Sequence, residues 1–349
     1  MKSRYFHALD GLRGIAMLLV ISYHITYGWP GYLAVEFFML LSGFVLAHTV
    51  LDKPQRPDGL GFVLHRLWRL YPLHLLALLA FAGAATLNQG RLPQFADGTL
   101  FTFVQQLTLT HNIGFNPGGL TWNFPAWCVS VEFWLNVLVF FVLPARLRTA
   151  QILLLALAGY LLLFNTSHML GVHHQLYWGW LASGMVRGFA SFMLGWFVYR
   201  ACAHPRTAGA LRRWQGELLE WLPLLGLLPI FLLKIENSPL DFVAALLMAV
   251  LLGGVALARG SLSRLLALPP LQYLGRISYA SYLLHIPVLE LFYKMQWHAV
   301  TLGLPLFWLL FVGACLAAGS LAHHYVEMPL RRRVARRPAP ELAAAAAVA

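Results

Sequence analysis

Arg13 and His24 stand eleven residues apart in a run that is otherwise apolar from Gly14 to Tyr27. On an α-helix eleven residues make about three turns and rise ~16 Å, so both side chains leave from the same face, one near each edge of an apolar layer. An ionisable group inside a bilayer costs about 2.5–3.5 kcal/mol on insertion scales, and such residues usually have a task. A guanidinium at one end and an imidazole deep towards the other suit a ligand with an anionic tail and a reactive head. The cation would hold the tail, and the neutral imidazole would act as general base towards a hydroxyl. A membrane histidine also serves as a helix-packing hydrogen-bond donor, and both readings stand on these residues alone.

Two carboxylates lie in comparable surroundings. Glu36, in Val35-Glu36-Phe37-Phe38, is near His24 in depth. It is a candidate to orient the imidazole or stabilise its protonated form, as a carboxylate does in hydrolase triads; the plain alternative is an interfacial, water-exposed acid. Glu132, in Trp127-Cys128-Val129-Ser130-Val131-Glu132, is inside another apolar run, either catalytic or the buried partner of Arg13 or another cation. Arg66 and Arg69, in Arg66-Leu67-Trp68-Arg69-Leu70-Tyr71-Pro72, share a helical face and together can fork several phosphate oxygens. Basic residues at a membrane edge also arise from topology alone, but with Arg13 on the same side a phosphate-rich ligand becomes more attractive. His285 and the pair His323-His324 match no metal-ligand spacing, because adjacent histidines leave a helix on different faces. Packing or membrane-edge roles are expected of them, and no metal site is expected. The chain has no Gly-rich phosphate loop, GxSxG elbow or HExxH.

Spanning helices are needed to place these groups. The 349-residue chain is 59% hydrophobic, 14% aromatic and 11% charged, with a mean hydropathy of +0.67; soluble domains carry about 25% charged residues. Ten apolar stretches long enough to cross a bilayer are read at 13–28, 32–51, 70–88, 122–144, 150–165, 184–200, 217–235, 239–258, 277–295 and 303–325. The expected fold is an all-α integral membrane protein, a bundle of about ten transmembrane helices. Of the 25 Lys and Arg, 21 fall on one side of these spans, leaving Arg91, Arg187, Lys234 and Lys294 on or near the other. Both termini are therefore expected in the cytoplasm. This asymmetry explains the net charge of +12 without nucleic acid and adds attraction to anionic membrane lipids. The first apolar run ends in Tyr27-Gly28-Trp29-Pro30-Gly31 with no small-residue cleavage site, so it reads as a span and not as a signal peptide. Cys128, Cys202 and Cys315 stand singly and form no disulfide or zinc pattern. Residues 1–337 read as one transmembrane domain and 338–349 as a low-complexity, disordered tail. The longest outer segment, 89–121, is expected to lie on the membrane surface over an outer cavity, and 166–183 is also outside.

A set of ordered motifs resembles the membrane-bound acyltransferase family 3, whose best-known branch O-acetylates bacterial surface glycans. The chain opens with Leu9-Asp10-Gly11-Leu12-Arg13-Gly14 and keeps the family's spacing from Arg13 to His24. Val35-Glu36-Phe37-Phe38 leading to Ser42-Gly43-Phe44, Arg66-x-x-Arg69-Leu70-Tyr71-Pro72 and Pro125-Ala126-Trp127-Cys128-Val129-Ser130-Val131-Glu132 follow in order. Gly275-Arg276-Ile277-Ser278-Tyr279 through His285-Ile286-Pro287 and Glu327-Met328-Pro329-Leu330-Arg331 close the series. Cys128 stands where the family usually has Ser, and Met39 where Phe is common. Many relatives carry an extra periplasmic esterase-like domain. At this length the chain is expected to be a stand-alone transferase or one acting beside a separate periplasmic or glycan-assembly partner.

The resemblance implies acetyl-CoA, or another acyl-CoA, as a cytoplasmic co-substrate, with no tightly bound cofactor. It implies that Arg66, Arg69 and Tyr71 bind this donor and that Arg13, His24, Glu36 and Glu132 form the catalytic set. His24 would act as general base or as an acyl-histidine relay towards a glycan or lipid-linked saccharide acceptor. The charged tetrahedral centre on either route needs hydrogen-bond donors, for which Ser42, Trp127 and Ser130 are candidates. The implied location is the bacterial inner membrane. A multi-span transporter or flippase is the rival class, and a receptor that binds acyl-CoA without turnover is a third. The double-arginine motif, and two halves without matching broken helices, speak against the transporter; an intact His24 speaks against the receptor.

Overall fold

The computed structural model describes residues 6–53, 55–116, 119–144, 147–204 and 212–335. The expected tail at 338–349 lies outside them. The described chain is a helical bundle, and its one sheet is a two-stranded hairpin of β1 (Leu176–Tyr177) and β2 (Leu181–Ala182). Among the described residues, eight helical segments are long and apolar enough to cross a membrane. They include α1 (His7–Thr26), and α2 (Ala34–Leu46) with its flanking 3-10 and π turns, Pro30–Leu33 and Ala47–Leu51. α3 (Gly59–Gln89), α5 (Trp127–Val142) and α6 (Thr149–Ser167) follow, with the short α4 (Thr99–Leu107) before α5. The rest are α8 (Arg213–Leu232), α9 (Leu240–Leu257) and α13 (Leu304–Ala322), the last continued by the π turn His323–Glu327 and α14 (Met328–Ala335).

The ten expected spans thus resolve into these eight and two long helices of a different kind. α7 (Ser183–Ala203, 21 residues) and α11 (Pro269–Lys294, 26 residues) have the length but not the uniform apolarity. Their place in the bundle explains it. α7 packs against α2, α5, α6 and α9, and α11 against α1, α3 and α13. Helices shielded from lipid by protein neighbours can carry polar groups at membrane depth, and these two bring Arg187, Ser191, Ser281 and His285 into the interior. The short α10 (Ser261–Leu266) and α12 (Ala299–Leu302) lie between the long helices.

Local sequence explains several boundaries. α3 starts at Gly59, well before the apolar run at 70, because Asp58 caps it by accepting the Gly61 N–H at 2.7 Å. Arg66 and Arg69 therefore ride on the first turns of a 31-residue helix. α3 ends at Gly90, whose φ of +73° suits a left-handed cap. α4 turns its polar residues Thr102, Gln105 and Gln106 onto the bundle and leaves Leu100, Phe101 and Val104 exposed. That inverted amphipathicity fits the surface position expected of the 89–121 segment, with an apolar face free for lipid.

Candidate active site

The arginine-rich end of the bundle opens into a cavity of about 620 Å³, within the range of roughly 300–1,000 Å³ of small-molecule sites. α1 lends it Asp10 and Arg13, α3 lends His65, Arg66, Trp68 and Arg69, and α14 lends Arg331. Phe38, Ser42, Cys128, Glu132, Tyr279 and Tyr282 form more of its wall. Four guanidiniums face two carboxylates, Asp10 and Glu132, around this space. Arg13 pairs loosely with Asp10 at 3.4 Å, while Ser42 donates to Glu132 at 2.9 Å. Arg66 is buried to 5% exposure, and its Nε has no hydrogen-bond partner among the described residues. A buried cation without a full set of partners is costly, so this geometry favours an anion in the cavity.

Arg331 is held by a relay of neighbours. His323 Nδ1 lies 2.7 Å from Glu327, and Glu327 in turn pairs with Arg331 at 2.5 Å. The π turn that carries His323 and Glu327 sets this alignment; such turns often mark functional places in helices. His323 is buried and His324 exposed, as the different faces of adjacent histidines require.

His24 lies farther along α1 and is not part of the cavity lining. Its Nδ1 is 2.9 Å from the Val20 carbonyl oxygen and 3.2 Å from His285 Nε2. Phe124, Tyr23 and Tyr27 surround the ring, with centroid separations of 5.4, 5.3 and 6.2 Å. Side-chain contacts lead from the cavity wall to His24 through Tyr282 and His285, whose rings are 5.6 Å apart. Tyr282 donates its hydroxyl to the Pro125 carbonyl at 2.6 Å, and the Cys128 thiol donates to Tyr282 Oη at 3.1 Å.

The other sequence-derived candidates divide sharply. Glu36 is not a water-exposed acid, nor is it bonded to His24. It is fully buried, bound to Arg187 Nε and to the Ser191 hydroxyl. Arg187, assigned to the outer side by charge counting alone, is buried at 2% exposure and also donates to the Tyr32 carbonyl at 3.1 Å. The physical reason is that two opposite charges inside a bundle satisfy each other better than either satisfies a neutral imidazole. Ser130 spends its hydroxyl on the Leu109 carbonyl at 2.6 Å and accepts the Asn112 N–H at 3.3 Å, so it anchors the loop between α4 and α5 and lies outside the cavity lining. Trp127 stacks on His173 at 4.9 Å beneath the Arg187 guanidinium, also away from the cavity. Of the three candidate oxyanion or acceptor contacts, Ser42 alone lines it. Tyr71 is not in the lining either; its ring lies 6.3 Å from that of His74. Glu132 stands on the cavity wall with Ser42 as its direct partner, and Arg13 takes Asp10.

Three further residues belong to this arrangement. His285, expected in packing or at the membrane edge, is in contact with His24. Tyr282 lies within the 275–287 motif and Arg331 within the 327–331 motif, where neither stands out by type or spacing. The signal for His285 was the one that singled out His24, an ionisable group in an apolar stretch.

Comparison with known proteins shows the family. The family model described as an acyltransferase domain, acyltransferase family 3, matches residues 6–323. A Bacillus subtilis protein named as a peptidoglycan O-acetyltransferase, YrhL, is 26% identical over 94% of this chain. The peptidoglycan O-acetyltransferase OatA of Listeria monocytogenes is 23% identical over 94% of this chain. The matched regions make up 55% and 56% of those two proteins, so the chain spans about half the length of the curated relatives it matches. No solved structure gives a significant match.

Proposed function

From the premise that the chain belongs to acyltransferase family 3, we propose that it is a membrane O-acyltransferase. It takes an acyl group, acetyl in the first instance, from acyl-CoA and passes it to a hydroxyl of a glycan. The observation that carries this reading is the arginine-lined cavity whose wall leads, through Tyr282 and His285, to His24. Arg13, Arg66, Arg69 and Arg331 suit the phosphates of the donor, since arginine forks match phosphate oxygens. Phe38, Met39 and Tyr282 then offer an apolar wall to the thioester arm.

The chemistry follows from the hydrogen bonds of His24. The Val20 carbonyl can only accept, so His24 Nδ1 carries the proton and Nε2 keeps the lone pair. Nε2 takes the proton of the acceptor hydroxyl as its oxygen bonds to the thioester carbon. The C–S bond then breaks, and the CoA thiolate leaves and recovers the proton from His24. In an acyl-histidine relay Nε2 bonds to the thioester carbon as the C–S bond breaks and the CoA thiolate leaves; the acceptor hydroxyl oxygen then bonds to that carbon as the C–Nε2 bond breaks, and its proton passes by way of the freed Nε2 to the thiolate. Ser42, on the cavity wall, is the remaining side-chain candidate near the tetrahedral oxygen.

The donor end faces the cytoplasm in this reading, because 21 of 25 basic residues lie on that side of the spans. The acceptor comes from the other face, in a bacterial inner membrane. The names of the two long-matching relatives point to peptidoglycan as the first acceptor to test.

The test is transfer from labelled acetyl-CoA in membranes holding the wild-type chain or His24→Ala, with glycans and lipid-linked saccharides analysed by mass spectrometry. Label on a glycan with His24 intact, falling at least ~10²-fold in the variant, is the expected result. Equal labelling by the variant at equal membrane insertion would overturn the mechanism.

A further inference from the structure

We propose that His285 is the positioning partner of His24, the role a carboxylate plays in hydrolase triads; the inference rests on the reading of His24 as the base. Its first support is proton bookkeeping. His285 Nδ1 bonds the Tyr282 carbonyl, which can only accept, so this nitrogen carries the proton and Nε2 is a lone pair. That lone pair lies 3.2 Å from His24 Nδ1, whose proton is shared with the Val20 carbonyl at 2.9 Å. Both tautomers are thereby fixed by backbone carbonyls, one on each helix. The series runs from the Tyr282 carbonyl through His285 to His24 and ends on the His24 Nε2 lone pair. When Nε2 takes a proton, the charge spreads to Nδ1–H, which already points at an acceptor.

The second support is that, among the described residues, no carboxylate bonds His24. Glu36, the nearest candidate by sequence, is bound to Arg187 and Ser191. A neutral imidazole suits this interior better than an acid would. It accepts a hydrogen bond without placing an unpaired charge in the resting bundle, where such a charge is expensive.

The third support is the rigidity of the mounting. α1 and α11 approach to backbone contact. A Cβ on Gly275 would stand 2.0 Å from the Asp10 carbonyl oxygen, and one on Gly14 would stand 2.9 Å from the Gly275 nitrogen. Small residues permit this approach between membrane helices, and it fixes the register of His24 against His285. Pro287 lacks the N–H that would bond the Leu283 carbonyl, and Asn123 takes that carbonyl instead at 2.9 Å. The turn carrying His285 is thus tied to the segment before α5.

Three substitutions at 285 separate positioning from packing. His285→Leu keeps bulk and removes the acceptor. His285→Asn reaches the Tyr282 carbonyl but not His24. His285→Gln places an amide oxygen near the lost Nε2. Each is assayed in lipid nanodiscs by CoA release from acetyl-CoA, with soluble muropeptides as the acceptor probe, after size-exclusion chromatography shows a folded protein. We expect kcat to fall about 10²-fold in Leu and Asn, with the KM for acetyl-CoA within about 3-fold, and Gln to recover at least a tenth of wild-type kcat. Should Leu not fold, Asn against Gln carries the comparison. Wild-type kcat in folded Leu or Asn, or equal loss in Gln and Asn, would overturn the role of His285. Full activity in His24→Ala would instead overturn the general-base reading beneath it, and the two failures are told apart in one assay.

Discussion

At the residue scale, the Glu36–Arg187 pair shows how a catalytic-looking side chain can be a structural one. Both members are buried, and the pair ties α2 to α7, with Ser191 linked on to Tyr160 of α6 at 2.9 Å. Removing one partner strands the other, which costs about 3–5 kcal/mol in buried pairs. Arg187→Leu should therefore lower the thermal unfolding midpoint in detergent markedly, and the double change with Glu36→Leu should recover part of the loss. A single variant as stable as wild type would show that water reaches the pair. His111 makes a second residue-scale prediction. It is buried in the loop between α4 and α5, against the ring of His74 at 5.7 Å. Burial, with His74 adding to it, pushes the imidazole down to about 3 from its ordinary 6.5. The folded form thus resists a proton that the unfolded chain accepts. Stability from this group is complete above pH 6.5 and is lost as pH falls from 6.5 towards 3, by up to about 1.4 kcal/mol per unit. Unfolding midpoints between pH 7.5 and 4.5 should fall in the wild type and fall less in His111→Gln.

At the element scale, the contact between α2 and α7 is set by two glycines. A Cβ on Gly43 would stand 1.9 Å from the Phe192 carbonyl oxygen, and one on Gly195 would stand 1.9 Å from the Leu40 carbonyl oxygen. These are backbone atoms, so relief requires the helices to separate. Gly43→Ala and Gly195→Ala should each cost about 1–3 kcal/mol. Both should also loosen the Glu36–Arg187 link on the same pair of helices. Unfolding in a denaturant series measures the effect, and unchanged midpoints in both variants would mean the helices slide apart freely. The same pair of helices is bolted at the arginine-rich end, where Arg200 pairs with Asp52 at 2.7 Å. The ends of the bundle are therefore fixed independently, and α2 holds Phe38, Met39 and Ser42 on the cavity wall between them.

At the scale of the whole molecule, basic charge gathers at one end of an apolar bundle and His24 lies half-buried farther along α1. A phosphate-bearing donor should bind more weakly as salt rises, because exposed charges are screened over about 8–10 Å near physiological ionic strength. The apparent KM for acetyl-CoA should rise with salt. It should also rise several-fold in Arg66→Ala, Arg69→Ala and Arg331→Ala, with kcat changed less. Donor dependence unaltered in all three would return these arginines to a topological role. The class of protein, the positions of its long helices, the basic end and the membership carried by ordered motifs can be read along the chain, because hydropathy and spacing are local properties. Arg13, His24, Arg66 and Arg69 were legible for the same reason, each being a charge or an imidazole where apolar residues were due. Which of those groups meet depends on how the helices pack. That packing gave Glu36 to Arg187 and His24 to His285, residues 151 and 261 positions apart, and it turned Ser130 and Trp127 of α5 towards Leu109 and His173. Which polar groups pair inside an apolar bundle depends on the facing of helices and on the closest available opposite charge or acceptor, and neither is encoded in the spacing of residues along one helix.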